Sequence, residues 1–435
     1  MKKSGFTLIE LLAVIEILAI ILVISIPKIL DVIETSKINT LKNTVKLIAD
    51  SAEKKYTENE AFLEEEEITC DSVSKLNKED YNKCTIIFDE NGIAKVSILG
   101  RGKFKGLKVI EATKTNAEVI KLEAPKYEIT AVEYINGLYE YYGDSYNLKI
   151  DNTKDQNVRY YGSNPNNYVS FNNELWRIIG VFGNNVKLIR SEKLGTLSWD
   201  SSESSVNGGD GINQWGESTY EDGTSYPGSD LMQYLNKMYY GGDTTITCYG
   251  SANNTTTTCP TDILDETAKT LVDNHTWNTG AIKISESTDT LLFYNAERGM
   301  VSGKSSCSDG DNCNDTVERT TTWTGYIALP YVTDYAYASN ESICEINMLA
   351  QDSSNTYICR SNNWIYSKYN VLYLASYAAF GFANASFFIH ANGKLLNRIV
   401  SADYNVFPSI YLKSNVLIES GNGSESDPYM LKLNS

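Results

Sequence analysis

The sequence predicts an α+β fold: a long N-terminal helix carrying a small antiparallel sheet, followed by a larger, loop-rich α+β domain. Three observations predict it. An apolar run from Phe6 to Ile26 leads into residues whose apolar positions recur at helical spacing as far as about Asn59. Short β-rich segments broken by Gly and Asn turns follow between Thr85 and Glu111. From Asn166 to Ser435, strand-like segments stand at both ends with helical ones between.

The N-terminal element begins with a short basic leader, M-K-K-S-G, from Met1 to Gly5. The apolar run after it, interrupted by Glu10 and Glu16, would span ~30 Å as a helix, one bilayer core. Lys2 and Lys3 place the leader in the cytoplasm and everything after Pro27 outside. A secretory signal would have a shorter apolar region and a small-x-small cleavage site, for which Val23-Ile24-Ser25 is a poor match. Beyond Pro27, where a missing backbone donor allows a bend or a melted turn, Ile29, Val32, Ile33, Leu41, Val45, Ile48, Ala49 and Ala52 form one face of an amphipathic helix.

The residues from Gly5 to Ile15, G-F-T-L-I-E-L-L-A-V-I, resemble the cleavage and methylation motif of type IV pilin-like prepilins almost residue for residue. The resemblance implies that a prepilin peptidase cuts between Gly5 and Phe6 and that Phe6 becomes N-methylated. It implies that Glu10 directs assembly: a carboxylate costs several kcal/mol in lipid unless partnered, and the ammonium of a neighbouring subunit's Phe6 is the partner. Glu16 departs from the family pattern, which is apolar there. It lies about 9 Å along the axis and roughly 240° around the helix from Glu10, so one face cannot hide both.

After the helix, Thr85–Phe88, Ala94–Leu99 and Leu107–Glu111 read as strands of a sheet covering it, joined across Asp89-Glu90-Asn91-Gly92 and Gly100-Arg101-Gly102. The acidic run Glu64 to Glu67 reads as a solvated helix end. The organisation expected is a leader (1–5), a pilin helix (6–61, with 6–26 transmembrane), a β-rich pilin domain (62–124), a Tyr-rich connection (125–165) and a large extracellular domain (166–435). A chain of 435 residues exceeds one ordinary core, so two or three domains are expected on length alone.

In the large domain, Leu175–Phe182 and Val186–Ser191 read as a hairpin, with Trp176 and Ile178 on one face. Ser229–Tyr240 and Thr261–Asn274 have helical spacing, capped by Ser229 and Thr261. Phe387–His390 and Lys394–Ile399 form a second hairpin across Asn392-Gly393, and Ser409–Lys413 and Tyr429–Leu433 close the chain. Strands at both ends, two helices and long loops resemble the C-type-lectin-like fold in its loop-rich version. The ending, F-P-S-I-Y-L-K-S-N-V from Phe407 with G-N-G-S-E-S-D-P-Y after it, looks like that of large bacterial surface proteins of this kind.

Eight cysteines fall into neighbouring couples: Cys70 with Cys84, Cys248 with Cys259, Cys307 with Cys313, and Cys344 with Cys359. None has CxxC spacing and a zinc site would need two distant couples, so local disulfides in an oxidising exterior are the reading. Asp309, Asp311 and Asp315 could attract calcium, but the loop lacks the closing Glu of an EF-hand, and no metal or cofactor is expected. Only two histidines, His275 and His390, are present and neither has a nucleophile motif beside it. Tyr377, Phe380, Phe382, Phe387 and Phe388 could stack on sugars or pack in a core. A net charge of −17 repels phosphate backbones, so nucleic-acid binding by the bulk of the chain is not expected.

The function expected is that of a filament subunit, a minor or tip pilin or a pseudopilin, anchored in the cytoplasmic membrane before assembly and not an enzyme. Its partners would be prepilin peptidase, other pilin subunits through the helix, and the membrane. The alternative is a filament-borne adhesin that binds glycans or a host surface. An exported, tethered enzyme would need convergent titratable groups that the sequence does not display.

Overall fold

The computed structural model describes residues 8–62, 67–74, 76–201, 213–219, 223, 225–250, 255–280, 290–299, 321–339, 359–369, 372–377 and 385–434. The fold is mixed α+β, with a long N-terminal helix and several sheets. It divides into two compact units: Met1–Ala124 with Glu140–Gly143, and Pro125–Tyr139 with Asp144–Ser435.

In the smaller unit, α1 runs from Leu8 to Phe62, 55 residues or about 80 Å. It continues through Pro27 rather than melting there; bending without breaking is how a long helix commonly accommodates one proline. The Thr69-capped turn α2 (Cys70–Val73) precedes a four-stranded antiparallel meander, β1 (Tyr81–Phe88), β2 (Ala94–Gly100), β3 (Leu107–Ala112) and β4 (Val119–Lys121). The first three match the expected segments to within a few residues, and β4 adds an edge. Asp89 Oδ1 accepts from the backbone N–H groups of Asn91 and Ile93, and Gly92 takes φ 71°, which fixes the β1–β2 turn. The core joins Leu41, Val45, Ile48, Ala49 and Ala52 of α1 to Val96, Ile98, Leu107 and Val109 of the sheet. Alanines at 49 and 52 let the sheet approach the helix backbone closely.

The larger unit begins with β5 (Ile129–Thr130), α3 (Ala131–Tyr142), β6 (Leu148–Ile150) and β7 (Val158–Tyr160), in the stretch read from sequence as a connection. Then come β8 (Tyr168–Phe171), β9 (Glu174–Phe182), β10 (Asn185–Arg190) and β11 (Gly195–Ser198). The short strands β12 (Ser218–Thr219) and β13 (Ser225–Tyr226) lead to α4 (Asp230–Gln233), which continues as a π-helical stretch from Tyr234 to Tyr240. Next are β14 (Cys248–Tyr249), β15 (Thr256–Thr257), α5 (Glu266–Leu271), β16 (His275–Asn278), α6 (Thr290–Glu297), β17 (Thr322–Gly325), β18 (Ile327–Ala328) and α7 (Val332–Tyr337). A helix at Trp364–Tyr369 precedes β19 (Leu372–Tyr377), β20 (Ala385–Ile389), β21 (Leu395–Ile399), β22 (Asp403–Val406), β23 (Ser409–Tyr411), β24 (Val416–Ser420) and β25 (Tyr429–Leu433).

Among the described residues the main sheet has ten strands, ordered β18-β23-β10-β9-β8-β25-β24-β5, with β7 joining β9 to β6. Its pairings are antiparallel except β8 with β25. A five-stranded sheet, β11-β22-β19-β20-β21, holds the Gly393 hairpin, where Gly393 takes φ 82°. Five of the six tryptophans are buried, so the larger unit builds its core on aromatic rings.

Two sequence expectations change here and a third holds. Strand β9 is buried from Trp176 to Phe182 on both faces, not on one, because it lies centrally between β8 and β10. The second helix is capped by Asp265, whose Oδ1 accepts from Ala268 N at 2.6 Å, and starts five residues after Thr261. Ser229 does cap its helix, accepting from Met232 N at 3.1 Å.

Candidate functional site

The apolar first half of α1 is a helix, and along the described part of it Leu12, Val14, Ile15, Ile26, Ile29, Leu30, Val32 and Ile33 are exposed, between 46% and 69%. At about 100° per residue, Leu12, Val14 and Ile15 repeat the angular positions of Leu30, Val32 and Ile33, so these residues form a stripe along one side. An apolar stripe this long stays exposed only where another surface covers it. Further along the helix the character changes: Glu34 pairs with Lys121 at 2.9 Å and Glu53 with Lys114 at 2.6 Å, while the inward face enters the core of the smaller unit.

Gly5 and Phe6 lie outside the described residues. Glu10 lies on the helix, its side chain outside the description, and Glu16 is exposed. Among the described residues no helix is long and apolar enough to cross a membrane. Within the expected span of 6–26, exposure is described only for the side chains of residues 12, 14, 15, 16, 25 and 26.

Two of the expected disulfides are present, Cys70–Cys84 and Cys248–Cys259. Cys359 is also disulfide-bonded, to a cysteine outside the described residues, where Cys307, Cys313 and Cys344 lie. The acidic loop with Asp309, Asp311 and Asp315 lies outside them too. Among the described residues no group of three or more His, Cys, Asp or Glu is placed to hold a metal.

The remaining sequence candidates separate. His275 and His390 are on different sheets: His275 stacks on Tyr411 at 3.7 Å and bonds Asp273 at 3.0 Å, whereas His390 is exposed at a hairpin turn. Burial lowers the His275 pKa, against the pull of Asp273. Phe387 and Phe388 are core residues, packed on Phe293 and Tyr404. The side chain of Tyr377, and Phe380 and Phe382, lie outside the described residues.

What sequence reasoning missed is a chain of buried charges in the larger unit. Asp151 accepts from Arg159 Nε at 2.6 Å, Arg159 Nη1 donates to Asp334 Oδ1 at 2.9 Å, and Lys187 Nζ donates to Asp334 Oδ2 at 2.6 Å. Every one of these side chains is at most 1% exposed. Burial pushes the Lys187 ammonium down to about 8, Asp334 opposing it. Burial also raises the neighbouring Glu297 carboxyl to about 6, although it accepts from the hydroxyl and backbone N–H of Thr333. No local motif announces such a cluster, since Asp151 follows β6 and the other members come from β7, β10 and α7.

No protein-family model, curated protein or solved structure matches this chain.

Proposed function

We propose that the chain is a type IV pilin-like filament subunit, processed by a prepilin peptidase between Gly5 and Phe6, N-methylated at Phe6, and polymerised through α1. The observation that carries the reading is the conjunction of two features on one helix. Its start bears the G-F-T-L-I-E-L-L-A-V-I sequence, and Leu12, Val14, Ile15, Ile26, Ile29, Leu30, Val32 and Ile33 are exposed in the single chain while its second half is committed to a core. The first part of the helix would sit in the cytoplasmic membrane before assembly, and stripes of neighbouring subunits would cover one another afterwards. The disulfides Cys70–Cys84 and Cys248–Cys259 support placing both units in an oxidising exterior.

A minor or tip position suits the size of the larger unit, which a densely packed shaft would crowd. We propose a lectin-like fold for that unit on the pairing of strands from its two ends, β5 with β24. An adhesive role draws no support from Phe387 and Phe388, which are in the core. The test is incorporation: expressed in a cell with a working pilus system, the chain should appear in sheared filaments, and Glu10→Leu should remain in the membrane fraction. Wild-type chain absent from filaments, or Glu10→Leu incorporated equally, would sink the reading.

A further inference from the structure

The buried charge chain contains an amine and a carboxyl group that are both dry and in contact. Lys187 on β10 and Asp334 on α7 are 147 residues apart in sequence, yet Nζ and Oδ2 are 2.6 Å apart and both side chains are 0% exposed. The amine is caged by aromatic rings, its nitrogen 3.5 Å from the centre of Tyr331 and 5.1 Å from that of Trp277. Water is therefore excluded from a site where its absence would favour condensation over hydrolysis. Arg159 and the backbone N–H of Tyr331 hold the carboxyl in place, at 2.9 and 2.8 Å.

We propose that Lys187 and Asp334 join as an intramolecular isopeptide bond, stapling the main sheet to α7 in the larger unit. A proton passes from Nζ to Oδ2 along the hydrogen bond, which turns the buried ion pair into a neutral amine and a carboxylic acid; burial favours the acid form, but Lys187 and Arg159 outweigh it and hold the Asp334 pKa below its ordinary value, so this is the uphill step. The nitrogen lone pair attacks the Asp334 carboxyl carbon. Charge developing on Oδ1 is met by Arg159, itself held by Asp151. Nitrogen gives up a proton, Oδ2 receives one, and the C–Oδ2 bond breaks to release one water. Atoms balance without an oxidant or cofactor.

The experiment is peptide mapping of the purified full chain after reduction, alkylation and trypsin. The expected result is a branched peptide joining the segments around Lys187 and Asp334, lighter than their sum by one water, with no cleavage after Lys187. The branch should vanish in Lys187→Met and in Asp334→Ala. Linear peptides of full mass from the wild type, cut after Lys187, overturn the proposal without reference to any variant, and leave an ion pair.

Discussion

Arg159 is buried between two carboxylates, and its effect on stability depends on what its removal leaves behind. Arg159→Met keeps much of the volume but strands Asp151 without its buried counter-charge, which should cost about 3–5 kcal/mol. Urea unfolding of the detergent-solubilised chain measures it, and Asp151→Asn added to the variant should recover part of the loss. A change below about 1 kcal/mol would contradict the buried-pair argument. His275 gives a pH dependence. Its folded pKa lies below the ordinary 6.5 because of burial, so the unfolded chain takes up the proton first. Stability from this group is fully present above about 6.5 and falls as the pH drops towards its lower folded value. Asp273, Lys187, Trp277 and Tyr411 surround the ring, and only Asp273 favours the proton. His275→Phe keeps the stacking and should flatten the acid side of a stability–pH curve; an unchanged curve would assign that slope to other groups. Neither residue was legible in the sequence. His275 has no nucleophile motif beside it to draw notice, and the Arg159 cluster depends on contacts among residues up to 175 apart.

Elements whose signal is periodic or local were readable, and those defined by tertiary neighbours were not. The face of α1 from Leu41 to Ala52, the meander β1 to β3 and the hairpin at Gly393 follow from spacing and turn residues. The hairpin between β8 and β9 carried an unread signal. Asn172 and Asn173 both take positive φ, 55° and 58°, the conformation a two-residue hairpin turn needs and asparagine tolerates. The π-helical stretch at Tyr234–Tyr240 has no such signature: its apolar spacing reads as α, and packing of Tyr234, Leu235, Met238 and Tyr239 in the core accompanies the wider turn. The parallel pairing of β8 with β25 joins distant segments, and neither sequence specifies the other. Cys70–Cys84 and Cys248–Cys259 were legible as neighbouring couples. Cys70–Cys84 closes a short loop, a sequence separation of 14, onto β1, so Cys70→Ser with Cys84→Ser should destabilise the smaller unit by up to ~3 kcal/mol. Calorimetry should show that unit's transition moving while the larger unit's stays; equal movement of both would contradict independent cores.

For the molecule as a whole, the chain forms two compact units, the smaller built on one helix that starts with the prepilin-like sequence and exposes apolar side chains at Leu12, Val14, Ile15, Ile26, Ile29, Leu30, Val32 and Ile33 in the single chain. The motif from Gly5 to Ile15 could be read because it is contiguous, and the proposed processing of the N-terminus rests on it. The direct measurement is the mass of the N-terminal peptide after co-expression with a prepilin peptidase, wild type beside Gly5→Ala. The account predicts a wild-type peptide that begins at Phe6 and carries one added methyl, and a variant that keeps its leader. A wild-type chain still beginning at Met1, or cut elsewhere, would contradict it and leave a signal-anchored surface protein with no basis for polymerisation.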